Sequence, residues 1–319
     1  MATYLVTGHA GFIGSTLSRN LIELNHRVIG IDSITSYYSE TLKRKNLQML
    51  ESLNGDYKNF ELDINKIDSL ERTFKDFDLS GIFHLAGQPG VRNSWSDEFA
   101  VYSINNIVAT QRIFDFAKNT IPVVFASSSS VYGNAISYPV LESNELKPIS
   151  PYGLTKKTCE ELSRIYQEQF GLQSVALRYF TVYGPGQRPD MAFTKICSSL
   201  ITGEVFTING SGNQVRDFTF VEDAVSATIA AMEGPRAPVY NVGGGHEISL
   251  NDVIAIFEGI SGRKLNVEYI EPQAGDVTKT GANTELLTRA TSWRAKVLIS
   301  EGIELQWNWA KSNESLFLK

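Results

Sequence analysis

The sequence predicts an α/β protein in which a doubly wound parallel sheet is followed by a smaller mixed α/β lobe. Over the first 180 of its 319 residues, short β-branched runs alternate with longer amphipathic stretches, as in successive strand–helix–strand units. A glycine-rich loop joins the first predicted strand to the first helix. Near residue 183 the alternation ends in a turn-rich stretch, where we expect the chain to cross into the second lobe.

The elements of the first domain follow from this alternation. The β-branched runs predict strands at residues 4–7, 27–31, 60–62, 81–85, 122–126 and 174–178. The amphipathic stretches between them predict helices at residues 12–24, 39–53, 67–74, 97–118 and 153–170. We therefore assign residues 1–180 to a first domain that contains the parallel sheet.

The rest of the chain is expected to divide between the two parts of the fold. Strands are predicted at residues 205–208 and 215–220, on either side of the turn formed by residues 209–213. A helix that begins near Val221 and a strand at residues 239–242 are expected to return to the large sheet. The smaller lobe, which we expect to bind substrate, then comprises residues 181–214 and 244–319, and residues from about 215 to 243 rejoin the first domain.

Composition excludes several classes of protein. The formal net charge of −6 and the lack of a long basic run argue against a sequence-independent nucleic-acid binder. No apolar run approaches the roughly 18 residues of a membrane helix, and the first residues enter a strand without a basic leader. Cys159 and Cys197 lack the spacing of a disulfide framework or a zinc site, so we expect no bound metal and a cytoplasmic protein.

The loop after the first strand predicts a dinucleotide site. Gly8, Gly11 and Gly14 allow the backbone to approach a pyrophosphate at the N-terminus of the first helix. Their spacing is G-x-x-G-x-x-G, which differs from the more familiar G-x-G-x-x-G. The first domain is therefore predicted to be a Rossmann domain that binds a dinucleotide.

The end of the second strand indicates which dinucleotide is bound. Asp32 is placed to accept hydrogen bonds from the adenosine ribose hydroxyls, and its charge disfavours a 2′-phosphate. This favours NAD over NADP. The cations Lys43 and Arg44, a few residues further on, leave NADP open.

A tyrosine and a lysine four residues apart predict the reacting centre. On a helix, Tyr152 and Lys156 share one face about 5–6 Å apart, where the ammonium favours the ionised phenol and makes it a base. Ser128 ends a predicted strand, so we expect it in the same crevice at the carboxyl edge of the sheet. There its hydroxyl can bind a substrate hydroxyl while Tyr152 removes the proton.

Taken together, these motifs resemble the extended short-chain dehydrogenase/reductase family, which includes the nucleotide-sugar epimerases and dehydratases. The likeness covers nearly the whole chain. It is carried by Thr7–Gly14, Asp63-Ile64, His84–Gly87, Asn105, Ser127–Gly133, the Tyr152 and Lys156 pair, and Arg216-Asp217-Phe218.

The resemblance implies a role for each matching position. The NAD pyrophosphate is expected on Gly8, Gly11, Phe12, Ile13 and Gly14, the adenosine ribose on Asp32, the adenine on Asp63 and Ile64, and the middle of the cofactor on Leu85, Ala86 and Gly87. Lys156, with Tyr152, would reach the nicotinamide ribose, and Ser128 the substrate. Arg216 would bind the substrate diphosphate and Asp276 the uridine ribose.

Two further positions indicate the reaction and the sugar. Dehydratases and decarboxylases of the family resemble one another in placing an acid or a thiol just after the active-site serine or threonine. Ser129 and Ser130 stand there in this chain, so oxidation and re-reduction at C4 are expected instead. The run 178–192 makes the chain similar to members that epimerise UDP-glucuronate at C4, in which the positions matching Thr181 and Arg188 contact the sugar carboxylate.

Other members of the family remain as alternatives. A UDP-glucose or UDP-N-acetylglucosamine 4-epimerase uses the same chemistry without a carboxylate. A UDP-glucuronate decarboxylase or a 5,6-dehydratase is less favoured because of the two serines. For partners, the resemblance implies a UDP-sugar and a second copy of the chain, packed through helices 97–118 and 153–170 into a homodimer, with neither nucleic acid nor membrane.

Overall fold

The computed structural model describes residues 1–118, 120–273 and 275–318. Within these ranges the strands are β1 Thr3–Thr7, β2 Arg27–Asp32, β3 Tyr57–Glu61, β4 Gly81–His84, β5 Val123–Ser128, β6 Ser174–Tyr179, β7 Thr181–Tyr183, β8 Phe206–Asn209, β9 Val215–Phe220, β10 Val239–Val242, β11 Glu247–Ser249 and β12 Val267–Ile270. The predicted strands of the first domain are all present, with small shifts at their ends.

The α-helices are α1 Phe12–Glu23, α2 Glu40–Glu51, α3 Leu70–Phe74, α4 Phe99–Tyr102, α5 Ala109–Ala117, α6 Pro151–Phe170, α7 Ala192–Thr202, α8 Val221–Glu233, α9 Leu250–Ser261, α10 Glu285–Thr291 and α11 Ile299–Ser312. A π-helical segment, Ser103–Val108, joins α4 to α5, so the helix predicted at residues 97–118 is interrupted. None of the helices in the described ranges has the length and apolar character needed to cross a membrane.

The large sheet is parallel throughout and has the strand order β10-β6-β5-β4-β1-β2-β3. The chain builds outward from β1 to β3 and then returns to place β4 on the other side of β1. The doubly wound α/β fold that the sequence predicts is therefore confirmed. The reversal between β1 and β4 leaves a crevice at the carboxyl ends of the strands, where ligands of such sheets bind.

Alternate residues of the central strands face two different layers of helices. Tyr4 and Val6 of β1 belong to the same buried cluster as Leu17 of α1. Leu5, which lies between them, belongs to a second cluster with Phe114 of α5. Because helices cover both faces, the strands are apolar along their whole length instead of alternating with polar residues.

The second lobe contains two small sheets. One has the order β11-β9-β7, with β7 parallel to β9 and β9 antiparallel to β11. The other pairs β8 with β12 in parallel. The strands β8 and β9 therefore flank the predicted turn, but they belong to different sheets.

The segment that returns to the large sheet is shorter than the sequence predicts. Residues 215–220 were expected to rejoin the first domain, but β9 lies in the small sheet. Only β10 pairs with the large sheet, beside β6, and α8 packs near α1. The reason is that β9 finds two partner strands in β7 and β11, and the identity of a strand's partner is not encoded in its own residue pattern.

A buried ion pair attaches α6 to the sheet. Arg178 of β6 donates to the Glu160 carboxylate of α6, through Nε at 3.0 Å and Nη2 at 2.6 Å. Its Nη1 donates to the Tyr132 hydroxyl at 2.8 Å and to the Glu142 carbonyl at 2.9 Å. Ser127, near the end of β5, donates to Oε1 of Glu160 at 2.5 Å. Because the Arg178 side chain is only 4% exposed, its charge depends on these partners rather than on water.

We expect Glu160→Ala to lower the free energy of unfolding by about 3–5 kcal/mol, because it leaves the Arg178 guanidinium buried without its counter-charge. The matched control is Glu161→Ala in the same helix, where the carboxylate pairs with Arg164 in solvent and contributes little. Urea unfolding of both variants checks this. Equal stability of the two would show that the buried pair is not needed.

Candidate active site

A cavity of about 400 Å³ opens at the carboxyl edge of the large sheet, at the crevice between β1 and β4. It is lined by most of the residues that the sequence analysis singled out. These are Gly8, Gly11, Phe12, Ile13, Gly14, Asp32, Asp63, Ile64, Leu85, Ala86, Gly87, Ser128, Tyr152, Lys156, Thr181 and Arg188. Arg216 and Asp276 are not among the lining residues.

The glycine loop is shaped by close backbone contacts. Gly8 has φ +74°, and a Cβ there would lie 2.7 Å from the backbone nitrogen of Ala86. A Cβ on Gly14 would lie 2.1 Å from the carbonyl oxygen of Gly8. Helix α1 begins after Gly11 with no side chain capping its N-terminus and no acidic residue in its first turn. Its free N–H groups face the cavity and fit an anion such as the NAD pyrophosphate.

The carboxylate at the end of β2 fits the adenosine ribose of NAD. Asp32 accepts from the Ile34 backbone at 2.9 Å and from the Ala10 backbone at 3.3 Å, which fixes its orientation at the cavity wall. The Lys43 ammonium donates to the Thr35 carbonyl at 2.6 Å. The Arg44 guanidinium of α2 donates two hydrogen bonds to the Glu61 carboxylate of β3, both at 2.6 Å. Both cations that left NADP open are therefore engaged by protein groups.

The histidine before the Leu85–Gly87 segment is structural. Its Nδ1 lies 2.8 Å from the Thr7 hydroxyl and its Nε2 lies 3.0 Å from the Thr110 hydroxyl. Burial, assisted by the Lys156 charge, lowers the pKa of His84 to about 3, so the ring is neutral near physiological pH. In the described part of the chain, no group of three or more His, Cys, Asp or Glu side chains is arranged to bind a metal.

The predicted base stands on the first turn of α6. The Ser150 side chain accepts from the Gly153 N–H at 3.1 Å and caps the helix, so Tyr152 and Lys156 occupy one face on successive turns. The Lys156 ammonium donates to the Ala126 carbonyl at 2.8 Å and lies 6.0 Å from the centre of the Tyr152 ring. The ammonium is thus held beside the phenol by the main chain of β5.

A second aromatic ring also contacts the Tyr152 ring. Tyr102 contacts it edge-on, with the ring centres 6.2 Å apart. The Tyr102 hydroxyl in turn donates to the carbonyls of Pro89 and Gly90, at 2.9 and 2.8 Å. Tyr37 donates to the same Pro89 carbonyl at 2.9 Å. Sequence reasoning assigned Tyr102 no role, because its contact with Tyr152 arises only when α4 packs beside α6.

The serine at the end of β5 is held by its neighbour. The Ser128 hydroxyl accepts from the Ser130 N–H at 3.1 Å and donates to the Ser130 hydroxyl, also at 3.1 Å. Ser129 and Ser130 line the cavity as well. The positions that carry an acid or a thiol in elimination enzymes of the resembled family therefore present only hydroxyls here.

The buried amide of the π-helical segment was missed by the sequence analysis, which singled out its neighbour Asn105. Asn105 lines the cavity. Asn106 is buried, and its Oδ1 accepts from the Gln88 N–H at 2.7 Å. Its Nδ2 donates to the Gln88 carbonyl at 3.1 Å and to the Thr155 hydroxyl at 2.9 Å. Asn106 therefore ties the loop after β4 to α6, and two adjacent asparagines within an amphipathic helix were the available signal.

The loop after β7 brings an arginine to the cavity wall. Gln187 anchors it, because its amide oxygen accepts from the Thr194 N–H and from the Gln306 side chain, both at 3.1 Å. The Arg188 guanidinium donates to the Asp190 carboxylate from Nε at 3.0 Å and from Nη2 at 2.9 Å. Burial opposes ionisation of Asp190, but its bond to Arg188 holds the pKa of the carboxyl below its usual value.

The two predicted substrate residues outside the cavity wall belong to a cluster around Arg92. Nη2 of Arg92 donates to the Asp276 carboxylate at 2.9 Å. With its amide oxygen turned toward Arg92, Asn209 of β8 accepts from the same guanidinium at 2.8 and 3.0 Å. Arg216 donates to the Val215 carbonyl at 2.9 Å, and burial lowers the pKa of its guanidinium. Arg92 therefore links the first domain to the second lobe, a role that its sequence position did not reveal.

Known proteins are similar to this chain over nearly its whole length. Residues 4–243 match the model of the NAD dependent epimerase/dehydratase family. The chain is 35% identical over 320 residues to the UDP-glucuronate 4-epimerase of Thermodesulfobacterium geofontis, covering 99% of this chain and 98% of that protein.

Solved structures are similar to this chain as well. The UDP-glucuronic acid 4-epimerase from Bacillus cereus, in complex with UDP-glucuronic acid and NAD, is 37% identical with a TM-score of 0.92, over 97% of this chain and 99% of that one. The UDP-glucose 4-epimerase of Thermotoga maritima with UDP-glucose is 29% identical with a TM-score of 0.89, over 98% and 99% of the two chains.

We expect Asp32→Asn to weaken NAD binding about tenfold to a hundredfold, because a hydrogen bond to a charged group contributes about 1.5–3 kcal/mol. It should also narrow the preference for NAD over NADP. Isothermal titration of the cofactor-free protein with each dinucleotide measures both. Asp56→Asn, at the opposite edge of the sheet beside Arg27, is the control and should bind NAD as the unsubstituted protein does. Unchanged NAD affinity in Asp32→Asn would contradict the assignment of the ribose site.

Proposed function

The chain belongs to the NAD dependent epimerase/dehydratase family, and we propose that it inverts C4 of UDP-glucuronate to give UDP-galacturonate. One observation carries this choice. The cavity that contains the Tyr152 and Lys156 pair also presents an arginine, Arg188, from the loop after β7. A guanidinium beside the reacting centre suits a sugar that bears a carboxylate.

The reaction begins at the C4 hydroxyl of the sugar. Tyr152, beside the Lys156 ammonium, removes the hydroxyl proton as general base, and the Ser128 hydroxyl binds the same oxygen. NAD, held by the glycine loop and Asp32, would supply the acceptor for the C4 hydride and its donor in the return step, so that the cofactor would be regenerated in each cycle. Tyr152 then returns the proton to the new C4 hydroxyl.

Inversion requires the 4-keto sugar to present its other face before C4 is reduced again. The sugar must turn about its diphosphate linkage while the nucleotide stays bound. Arg216, a half-buried guanidinium near the Arg92 and Asp276 pair, is suited to anchor the diphosphate, and Asp276 to bind the uridine ribose. In this proposal Asp276 exchanges its bond to Arg92 for one to the ribose.

The carboxylate imposes a further demand on the site. Once C4 is a ketone, the C6 carboxylate and the ketone form a β-keto acid, which loses carbon dioxide when the C5–C6 bond aligns with the carbonyl π system. An enzyme that retains the carboxylate must hold it out of that alignment. In this proposal Arg188, with Thr181 beside it on the cavity wall, holds the carboxylate by directional hydrogen bonds.

Other reactions of the family fit this cavity less well. A 4-epimerase of UDP-glucose or UDP-N-acetylglucosamine shares the Tyr152 chemistry, but its neutral sugar has no carboxylate for Arg188 to bind. A decarboxylase or a 5,6-dehydratase is disfavoured because Ser129 and Ser130 present no acid or thiol to move a second proton.

We expect the purified protein, with no added cofactor, to convert UDP-glucuronate to UDP-galacturonate, because NAD stays bound and is regenerated. Proton NMR of the C4 signal, in parallel incubations with UDP-glucose and UDP-N-acetylglucosamine, identifies the preferred sugar. Tyr152→Phe should keep its NAD and lose turnover, since it lacks only the group that moves the proton. A faster reaction of a neutral UDP-hexose, or a UDP-pentose as the main product, would reject the proposed substrate, and an active Tyr152→Phe would reject the base.

We also propose that two copies of the chain associate through α4, α5 and α6. Five apolar residues of α6 and of the stretch from α4 to the start of α5 are between 38% and 50% exposed: Val101 of α4, Ile104 and Val108 of the π-helical segment, and Leu154 and Ile165 of α6. Exposed apolar residues on elements that pack together are typical of a protein–protein interface. We place this dimer in the cytoplasm, where the free thiols of its two buried cysteines would stay reduced.

We expect light scattering to give twice the mass of one chain for the unsubstituted protein and one chain mass for Ile165→Glu, because the charge would be buried in the interface. Ile136→Glu is the control, since Ile136 is 96% exposed and lies on a loop outside these helices. A dimer that persists in Ile165→Glu would place the interface elsewhere.

A further inference from the structure

We infer that Asp190 is a positioning residue for Arg188, and that it determines whether the substrate keeps its carboxylate. This inference rests on the proposed function. Asp190 lies on the same short loop as Arg188, two residues further along the chain. Its carboxylate occupies one edge of the guanidinium, the edge formed by Nε and Nη2.

The contact leaves a second edge of the guanidinium available. A guanidinium has five N–H donors in one plane, and its two edges can each bind a carboxylate through two parallel bonds. Asp190 takes one N–H from Nε and one from Nη2. The edge formed by Nη1 and Nη2 remains, and within the described residues no hydrogen bond engages Nη1. Arg188 can therefore bind Asp190 and a sugar carboxylate at the same time.

Both ends of the arginine are fixed. Its backbone follows Gln187, which is bonded to Val182, Thr194 and Gln306. Its side chain is 17% exposed and is oriented by the two hydrogen bonds that it donates to Asp190. The guanidinium therefore has one orientation, although its aliphatic stem is flexible. A carboxylate that binds its free edge is held in one orientation as well.

The pairing also reduces the net charge at the cavity wall. Arg188 without a partner would attract the substrate carboxylate strongly but would allow it to rotate with the guanidinium. With Asp190 in place, attraction by net charge is weaker and the direction of the hydrogen bonds decides the geometry. Asp190 thus weakens the attraction between Arg188 and the sugar carboxylate, and it restricts the rotation of that carboxylate once it is bound.

Restraint matters at one step of the reaction. In the 4-keto sugar, decarboxylation breaks the C5–C6 bond, whose electron pair forms the C4–C5 enolate as carbon dioxide leaves. Water then supplies the proton at C5, giving UDP-4-keto-pentose. The two electrons taken from C4 would remain on the cofactor as NADH, so each molecule of ketone that is released consumes one bound NAD, and return of the hydride would give a UDP-pentose instead. A carboxylate that rotates reaches the aligned geometry more often, and small errors in position change rates by large factors.

The test measures the ratio of decarboxylated product to UDP-galacturonate that Asp190→Asn forms from UDP-glucuronate. We expect UDP-4-keto-pentose and carbon dioxide to rise about tenfold or more relative to UDP-galacturonate. The KM should stay equal or fall, because the Arg188 charge is no longer compensated. Arg188→Ala should instead raise KM about tenfold to a hundredfold, because it removes a charged hydrogen-bond donor pair. Asp190→Glu restores a carboxylate and should return part of the epimerisation.

Asp56→Asn is the matched control, because Asp56 also pairs with an arginine but lies at the far edge of the sheet. It should give the same ratio of decarboxylated product to UDP-galacturonate as the unsubstituted enzyme. Thermal unfolding of each variant shows whether it is folded. If the unsubstituted enzyme does not epimerise UDP-glucuronate, the proposed function fails and this inference fails with it. If the unsubstituted enzyme does epimerise UDP-glucuronate, and folded Asp190→Asn and Asp190→Ala both give its ratio of products, only the role of Asp190 is overturned.

Discussion

The attachment of α6 to the end of β5 is the constraint on which the rest of the site depends. Two contacts make it: the Lys156 ammonium donates to the Ala126 carbonyl at 2.8 Å, and Glu160, one turn later, joins Ser127 to Arg178. Together they fix both the rotation of the helix and its distance from the sheet. Tyr152 can face Ser128 across the cavity only while this arrangement holds.

The second lobe completes the cavity through elements that are distant in sequence. Arg188 reaches the wall because Gln187 is bonded to Gln306 of α11, and Arg92 crosses the gap to Asn209 and Asp276. In the proposed function, the first domain provides the base and the surface for NAD, while the second lobe holds groups that suit the substrate. A division of this kind lets one reacting centre serve several sugars, because the choice of sugar depends on groups carried by a separate part of the chain.

The sequence predicts the parts of this molecule that depend on local pattern. Neighbouring residues determine three of these features: the alternation of strands and helices, the loop around Gly8, and the four-residue interval from Tyr152 to Lys156. The parallel sheet follows from the alternation. The partners of β9 and the contact between Tyr102 and Tyr152 arise from tertiary packing, which no local pattern reports. Asp190 lies in the run 178–192 that indicated the sugar, but its hydrogen bond with Arg188 depends on the conformation of the loop, which the sequence pattern does not show.

The acceptor that holds Lys156 is a main-chain carbonyl, and this has an evolutionary consequence. A side-chain acceptor would be lost by a single base change, whereas the carbonyl of residue 126 is present whatever amino acid stands there. The orientation of the Lys156 ammonium is therefore insulated from mutation at its contact point. Substitution at position 126 can alter the lining of the cavity and yet leave the lysine in place, so the proposed chemistry can persist while the cavity changes.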